Sequence, residues 1–334
     1  MRIQKTLVHR TGMWMLGVFV LVSVAATSAA GADLQYAIFH PKTDILAAME
    51  DKWMEEVTKR TAGRVKFKPA YAGSLVSVAE AFDAVQSGVV ELAMTNAAML
   101  SGKIVDVSPF EPLGAYPEDA RYANLMKEVE PVLESLFNRH NVVYLWSTGT
   151  PGVSNLCRTK FIKTPEDYKG LKIRVAGRWQ TLQVRALGGS AVTIDPGSLF
   201  QALQLGTVDS TYFVNNLALS FKIYEVAKYV AQYQLPVNLN IHLMNKKVFS
   251  SLSAEDQKII REVSRQTTAT ALAPVVDAQA GFAAKMKDLG ANIYTLSAAE
   301  RKAFQDAWKP IYEEMRKSLG DDGKKLLDIM EKYR

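Results

Sequence analysis

The chain reads as an α/β protein built in two lobes, and three observations predict this. Short apolar runs with strand character alternate with helical stretches from residue 34 onward, which is the pattern of a sheet flanked by helices. About 300 residues follow an N-terminal leader-like segment, more than a single hydrophobic core usually organises. The one cysteine, Cys157, cannot form an internal disulfide, so the fold must be held by buried apolar surface.

Taken in order, Leu34 to Phe39 reads as a first strand, and a loop at His40-Pro-Lys-Thr43 leads into a helix from Asp44 to Thr61. Ile45, Met49, Trp53 and Val57 recur every four residues there and give the helix one apolar face. Val65 to Tyr71 reads as the second strand. A helix around Val78 to Ser87 is stopped by Gly88, and Val89 to Met94 reads as a strand leading to Thr95-Asn96. A helix over 118–138, a strand from Val142 to Ser147, a helix start at Thr164-Pro-Glu-Asp167 and a strand from Leu171 to Ala176 follow. Proline in the first turn with two acids behind it satisfies several helix-start rules together. From Ala254 the pattern is helical. Phe304, Trp308, Ile311, Met315, Leu319 and Leu326 form a packed face interrupted by the turn at Gly320-Asp-Asp-Gly323.

The first 32 residues have the layout of a secretory signal. Basic Arg2, Lys5 and Arg10 precede an apolar run from Met13 to Val24 and a small-residue stretch to Ala32. The run of about a dozen residues falls short of the roughly 20 that span a bilayer. Cleavage after Ala30 or Ala32 fits the small-residue rule, and Ala32 is preferred. The expected location is outside the cytoplasmic membrane, which the resemblance described below narrows to the periplasm. The formal charge of +6 halves to +3 on cleavage, because three basic residues and no acid are removed. No concentrated basic stripe is present, so nucleic acid is not an expected partner.

The common catalytic signatures are missing. His40, His140 and His242, the histidines beyond the leader, have no zinc-site spacing. Nucleophile elbows, phosphate loops and dinucleotide fingerprints are absent as well. Carboxylate pairs such as Glu55-Glu56 and Glu313-Glu314 fit solvated helix faces, since adjacent helical residues point apart. No catalytic residue, metal or cofactor is expected.

The segment Thr164-Pro-Glu-Asp-Tyr-Lys-Gly-Leu-Lys-Ile-Arg-Val175 closely resembles a motif of the DctP-type solute-binding components of tripartite ATP-independent periplasmic (TRAP) transporters. Further pieces agree in order: Thr61-Ala-Gly-Arg-Val, Ala84-Val-Gln-Ser-Gly-Val-Val-Glu-Leu-Ala, Ala202-Leu-Gln-Leu-Gly-Thr-Val-Asp, Tyr224-Glu-Val-Ala-Lys-Tyr and Leu252-Ser-Ala-Glu-Asp-Gln-Lys. The resemblance spans essentially all of the chain beyond the leader. It implies a two-lobed α/β periplasmic binding protein fold, with a ligand cleft between lobes and a long connecting helix. The lobes are expected at 33–150 plus about 240–280, and at 151–239 plus about 281–334.

The resemblance also implies that Arg174 holds the carboxylate of a small organic acid, which a guanidinium fork can do through two parallel hydrogen bonds. Because open α/β sheets bind ligands at the carboxyl ends of their strands, Phe39, His40, Thr95, Asn96, Trp146 and Thr148 are further candidates. Where many relatives read Gly-Gln-Glu-Asn-Pro, this chain reads Ser210-Thr-Tyr-Phe-Val214. Tyr212 and Phe213, with Asn215 just beyond, are therefore expected to line the pocket. Gly152 is followed by Val153-Ser154 where some relatives carry a second arginine. One arginine among aromatic neighbours suits a monocarboxylate, aromatic or a keto acid, better than a C4-dicarboxylate. The expected activity is capture of the acid and its delivery to a TRAP membrane permease by a monomeric, non-catalytic receptor. Two alternatives remain at this point: a receptor feeding a membrane sensor, and a secreted hydrolase or lyase using a cleft carboxylate such as Glu80.

Overall fold

Asp44 starts the first helix: its Oδ1 accepts the Leu46 amide at 2.9 Å, and Ile45–Arg60 follow as 16 residues of helix. Leu46, Met49, Trp53 and Val57 are buried and lie on the face turned to the sheet. The computed structural model describes residues 32–117 and 119–333. The expected leader, up to residue 31, and Glu118 lie outside the described residues.

Eleven strands form two sheets among the described residues. The first contains β1 (Ala32–Ala37), β2 (Val65–Ala70), β3 (Leu92–Asn96), β4 (Val142–Thr150) and, much later in the chain, β10 (Val237–Asn245), in the order β2-β1-β3-β10-β4. The second contains β5 (Val153–Cys157), β6 (Lys172–Val175), β7 (Ser190–Thr193), β8 (Ser210–Val214), β9 (Tyr229–Gln232) and β11 (Asn292–Thr295), in the order β11-β9-β5-β8-β6-β7. The chain passes between sheets where β4 runs into β5 and where β9 runs into β10. It passes a third time through the helices Ala254–Thr270 and Leu272–Asp288 that lead to β11. The architecture is the expected two-lobed α/β fold with a long connecting helix.

Several local expectations are corrected. The stretch after Thr164 is a single 3-10 turn, Pro165–Tyr168, with a capping box between Thr164 and Asp167. Gly170 adopts a left-handed φ of 77° and turns the chain into β6 before a helix can extend. The third strand begins at Leu92, because Val89 is 69% exposed and belongs to the turn after Gly88. Strand β11 sits inside the stretch expected to be helical. After the helix Ala298–Ser318, the chain restarts as a helix, Asp321–Glu331, whose Leu326, Ile329 and Met330 pack in the same apolar cluster as the Arg121–Arg139 helix. The tail of the expected second lobe therefore packs on first-sheet elements.

Candidate functional site

Arg174 lies on β6 between Val192 of β7 and Thr211 of β8. Only 3% of it is exposed. Its Nε donates to the Ile194 carbonyl at 2.8 Å, while one terminal nitrogen, Nη2, has no hydrogen-bond partner among the described residues. Among the described residues no carboxylate makes an ion pair with it. Burial lowers its pKa to about 10, partly opposed by the more distant Asp195, so the group stays cationic at neutral pH. A buried, charged and incompletely paired guanidinium can be compensated by an anion that supplies the missing acceptor.

The guanidinium stands 5.8 Å from the centre of the Phe213 ring. Phe213 meets Phe221 edge-on at 6.2 Å, and Phe221 stacks on Phe39 at 5.5 Å. Phe39 follows β1 of the first sheet, whereas Phe221 follows the Asn215–Ser220 helix beyond β8 of the second. The aromatic contacts thus cross from one lobe to the other. Beside them Asp44 accepts from Asn216 Nδ2 at 3.0 Å and from Ser220 Oγ at 2.7 Å, again across the lobes.

A second crossing lies just past Arg174. Glu111 is buried, and its Oε1 accepts the amides of Trp179 at 2.7 Å and Gln180 at 3.0 Å, at the start of the helix Arg178–Ala186. Burial raises its pKa to about 7 despite those bonds, a Ser101 hydrogen bond and the nearby Arg178. Gly177 sits so close to the first lobe that a Cβ there would fall 2.4 Å from the Ala98 carbonyl oxygen. The ends of β1 and β3 therefore abut the region around Arg174.

Across the first sheet, Asn240 of β10 is directly opposite Asn96 of β3 on one side and Thr148 of β4 on the other. Directly paired residues share a face, so these three buried polar groups form one row near the sheet's end. Asn96 Oδ1 accepts the Met99 amide at 3.1 Å and caps the short helix Ala97–Leu100. Asn240 was not anticipated, because a lone asparagine in an unrecognised strand carries no signal without the register.

The remaining candidates have other surroundings. Tyr212 alternates away from Phe213 and enters the second lobe's aromatic core, where its hydroxyl meets that of Tyr168 and its ring lies against Tyr233 and Trp308. Thr95 points away from Asn96 and bonds the Val78 carbonyl. Trp146 stacks on His242 at 3.6 Å and packs near Trp53, inside the first-lobe core. Glu80 is exposed, and its Oε2 accepts from Ser77 Oγ at 2.8 Å. His40 is fully buried with Nδ1 2.9 Å from Glu50 Oε1. Burial disfavours its charge, but the Glu50 carboxylate outweighs that and raises its pKa. Asn215 Oδ1 accepts from Ser154 Oγ at 2.6 Å, on the Phe213 side of the strand pair.

Comparison with known proteins gives a consistent picture. A solute-binding protein of Chromohalobacter salexigens is 27% identical over 308 residues, 90% of this chain and 89% of that protein. The 2,3-diketo-L-gulonate-binding periplasmic protein of Escherichia coli is 24% identical over 306 residues, 89% of this chain and 91% of the other. A TRAP periplasmic solute-binding protein from Desulfovibrio salexigens, solved with bound orotic acid, superimposes with a TM-score of 0.84 at 24% identity, covering 90% of this chain and 98% of that one. The family model for bacterial extracellular solute-binding proteins, family 7, matches residues 37–318, and the chain belongs to that family, the DctP-type receptors that bind small organic acids for TRAP transporters.

Proposed function

We propose that this receptor works in the periplasm after removal of its leader, as a monomer without catalysis, and delivers a monocarboxylic acid with an aromatic or keto-bearing body to its permease. The observation that carries the reading is the buried Arg174 guanidinium, over the Phe213 ring and with Nη2 unpartnered among the described residues. A single cation suits one carboxylate, and the Phe213, Phe221 and Phe39 rings suit an apolar or planar body beside it. The relatives named for 2,3-diketo-L-gulonate and orotic acid support the direction, since each of those acids carries one carboxylate with carbonyl groups close by. Two lobes closing on the acid would exclude water and strengthen the charge pair. In this reading the lobes comprise 33–150 with about 240–280, and 151–239 with the chain from about 281 to the end of the Ala298–Ser318 helix.

A thermal-shift screen of carboxylic acids tests the class. Aromatic and keto monocarboxylates should raise the melting temperature more than succinate or malate. The largest shift from succinate or malate would overturn the preference.

A further inference from the structure

We propose that Asn240 reads the body of the ligand from the first lobe, its side-chain amide donating to a carbonyl oxygen of a keto acid whose carboxylate is held by Arg174. The inference rests on the receptor reading above and adds the chemical group that the first lobe selects.

Three observations carry it. Asn240 is 3% exposed, and among the described residues its Nδ2 has no hydrogen-bond partner, a condition that buried polar groups generally avoid. Its position is the second. Asn240 pairs directly with Asn96 at the carboxyl end of β3, and the helix that Asn96 caps places the Ala98 carbonyl against Gly177, three residues past Arg174. The row holding Asn240 thus ends where the lobes meet beside the arginine strand.

The third observation is the balance of donors and acceptors. Among the described residues Arg174 Nη2 and Asn240 Nδ2 are both donors without partners, one from each lobe. A carboxylate satisfies the first. A carbonyl oxygen satisfies the second and brings no hydrogen of its own, whereas a hydroxyl would need a further acceptor. An acid lacking that oxygen leaves the Asn240 amide buried and unpaired, which is the condition under which a site discriminates strongly. Asn240 also stands on the strand that enters the first sheet from the crossover after β9, so a bond to it joins ligand, first lobe and second lobe.

The test compares phenylpyruvate with 3-phenylpropanoate, which differ by the one carbonyl oxygen, by isothermal titration against the full receptor. The wild type should bind phenylpyruvate more tightly by about tenfold to a hundredfold. Asn240→Ala, and Asn240→Leu as a variant that keeps bulk in the row, should remove that preference while leaving 3-phenylpropanoate affinity within about twofold. Circular dichroism and the melting temperature report whether each variant is folded. Equal weakening of both acids would mean that Asn240 holds the carboxylate or only supports the fold, and unchanged preference would mean that it does not touch the ligand. Either result overturns the proposal, as does a wild type that binds neither acid or shows no preference. Loss of phenylpyruvate binding in Arg174→Ala, measured alongside, separates failure of this inference from failure of the receptor reading.

Discussion

Phe39 of the first lobe stacks on Phe221 of the second with ring centroids 5.5 Å apart and planes 18° from parallel. The contact continues through Phe213 to the guanidinium of Arg174. One aromatic wall therefore ties the relative position of the lobes to the residue that can hold an anion.

Coupling between these rings is measurable. A double-mutant cycle of Phe39→Ala and Phe221→Ala should give an interaction energy of about 0.5–1.5 kcal/mol in denaturant unfolding, beyond the loss of buried area. The same variants should weaken an aromatic acid more than an aliphatic one of equal charge. A cycle that closes to zero would show that the stacking is incidental.

Asp44 has two separable tasks. It caps the helix Ile45–Arg60 through the Leu46 amide, and it accepts from Asn216 and Ser220 across the lobes. Asp44→Ala should cost about 1–2 kcal/mol of stability through the cap. Asp44→Ser restores a capping oxygen but is too short to bridge, so it should recover most of the stability and little of the ligand affinity. Recovery of both would assign Asp44 to the helix alone.

Gly177 is required by space. A methyl group there meets the Ala98 carbonyl oxygen at 2.4 Å and Glu111 Oε1 at 2.6 Å. Gly177→Ala should hold the lobes apart, lower ligand affinity and enlarge the radius of gyration seen by small-angle scattering with ligand present. Wild-type scattering and affinity would contradict this.

Glu111 makes stability depend on pH. Its folded-state pKa is raised to about 7 from 4.5, principally by burial. The protonated form is favoured on folding, so its contribution is fully present below about 4.5 and is lost as pH rises through about 7. The span corresponds to about 3 kcal/mol. Glu111→Gln keeps an acceptor for the Trp179 and Gln180 amides, and should flatten this part of the pH profile relative to wild type. Parallel profiles would show that Glu111 titrates outside that window.

What was legible in the sequence follows from how local each signal is. The first helix was read almost to its ends because Asp44, the four-residue apolar spacing and Thr61 all lie within the element. The helix start at Thr164 was also legible, but the length of the helix was not, since Gly170 and the pairing of β6 with β7 and β8 cut it short. Strand β11 escaped because four residues between strong helices leave no periodic pattern. At the site, Phe213 was separable from Tyr212 only by strand alternation. Asn240, Phe221, Asp44 and Glu111 become visible only when distant segments are brought together.

The role of Arg174 as carboxylate anchor is tested by isothermal titration of Arg174→Ala with the acid that gives wild type its largest thermal shift. Affinity should fall by about a hundredfold or more, with circular dichroism and melting temperature showing an intact fold. Unchanged affinity in a folded variant would contradict it.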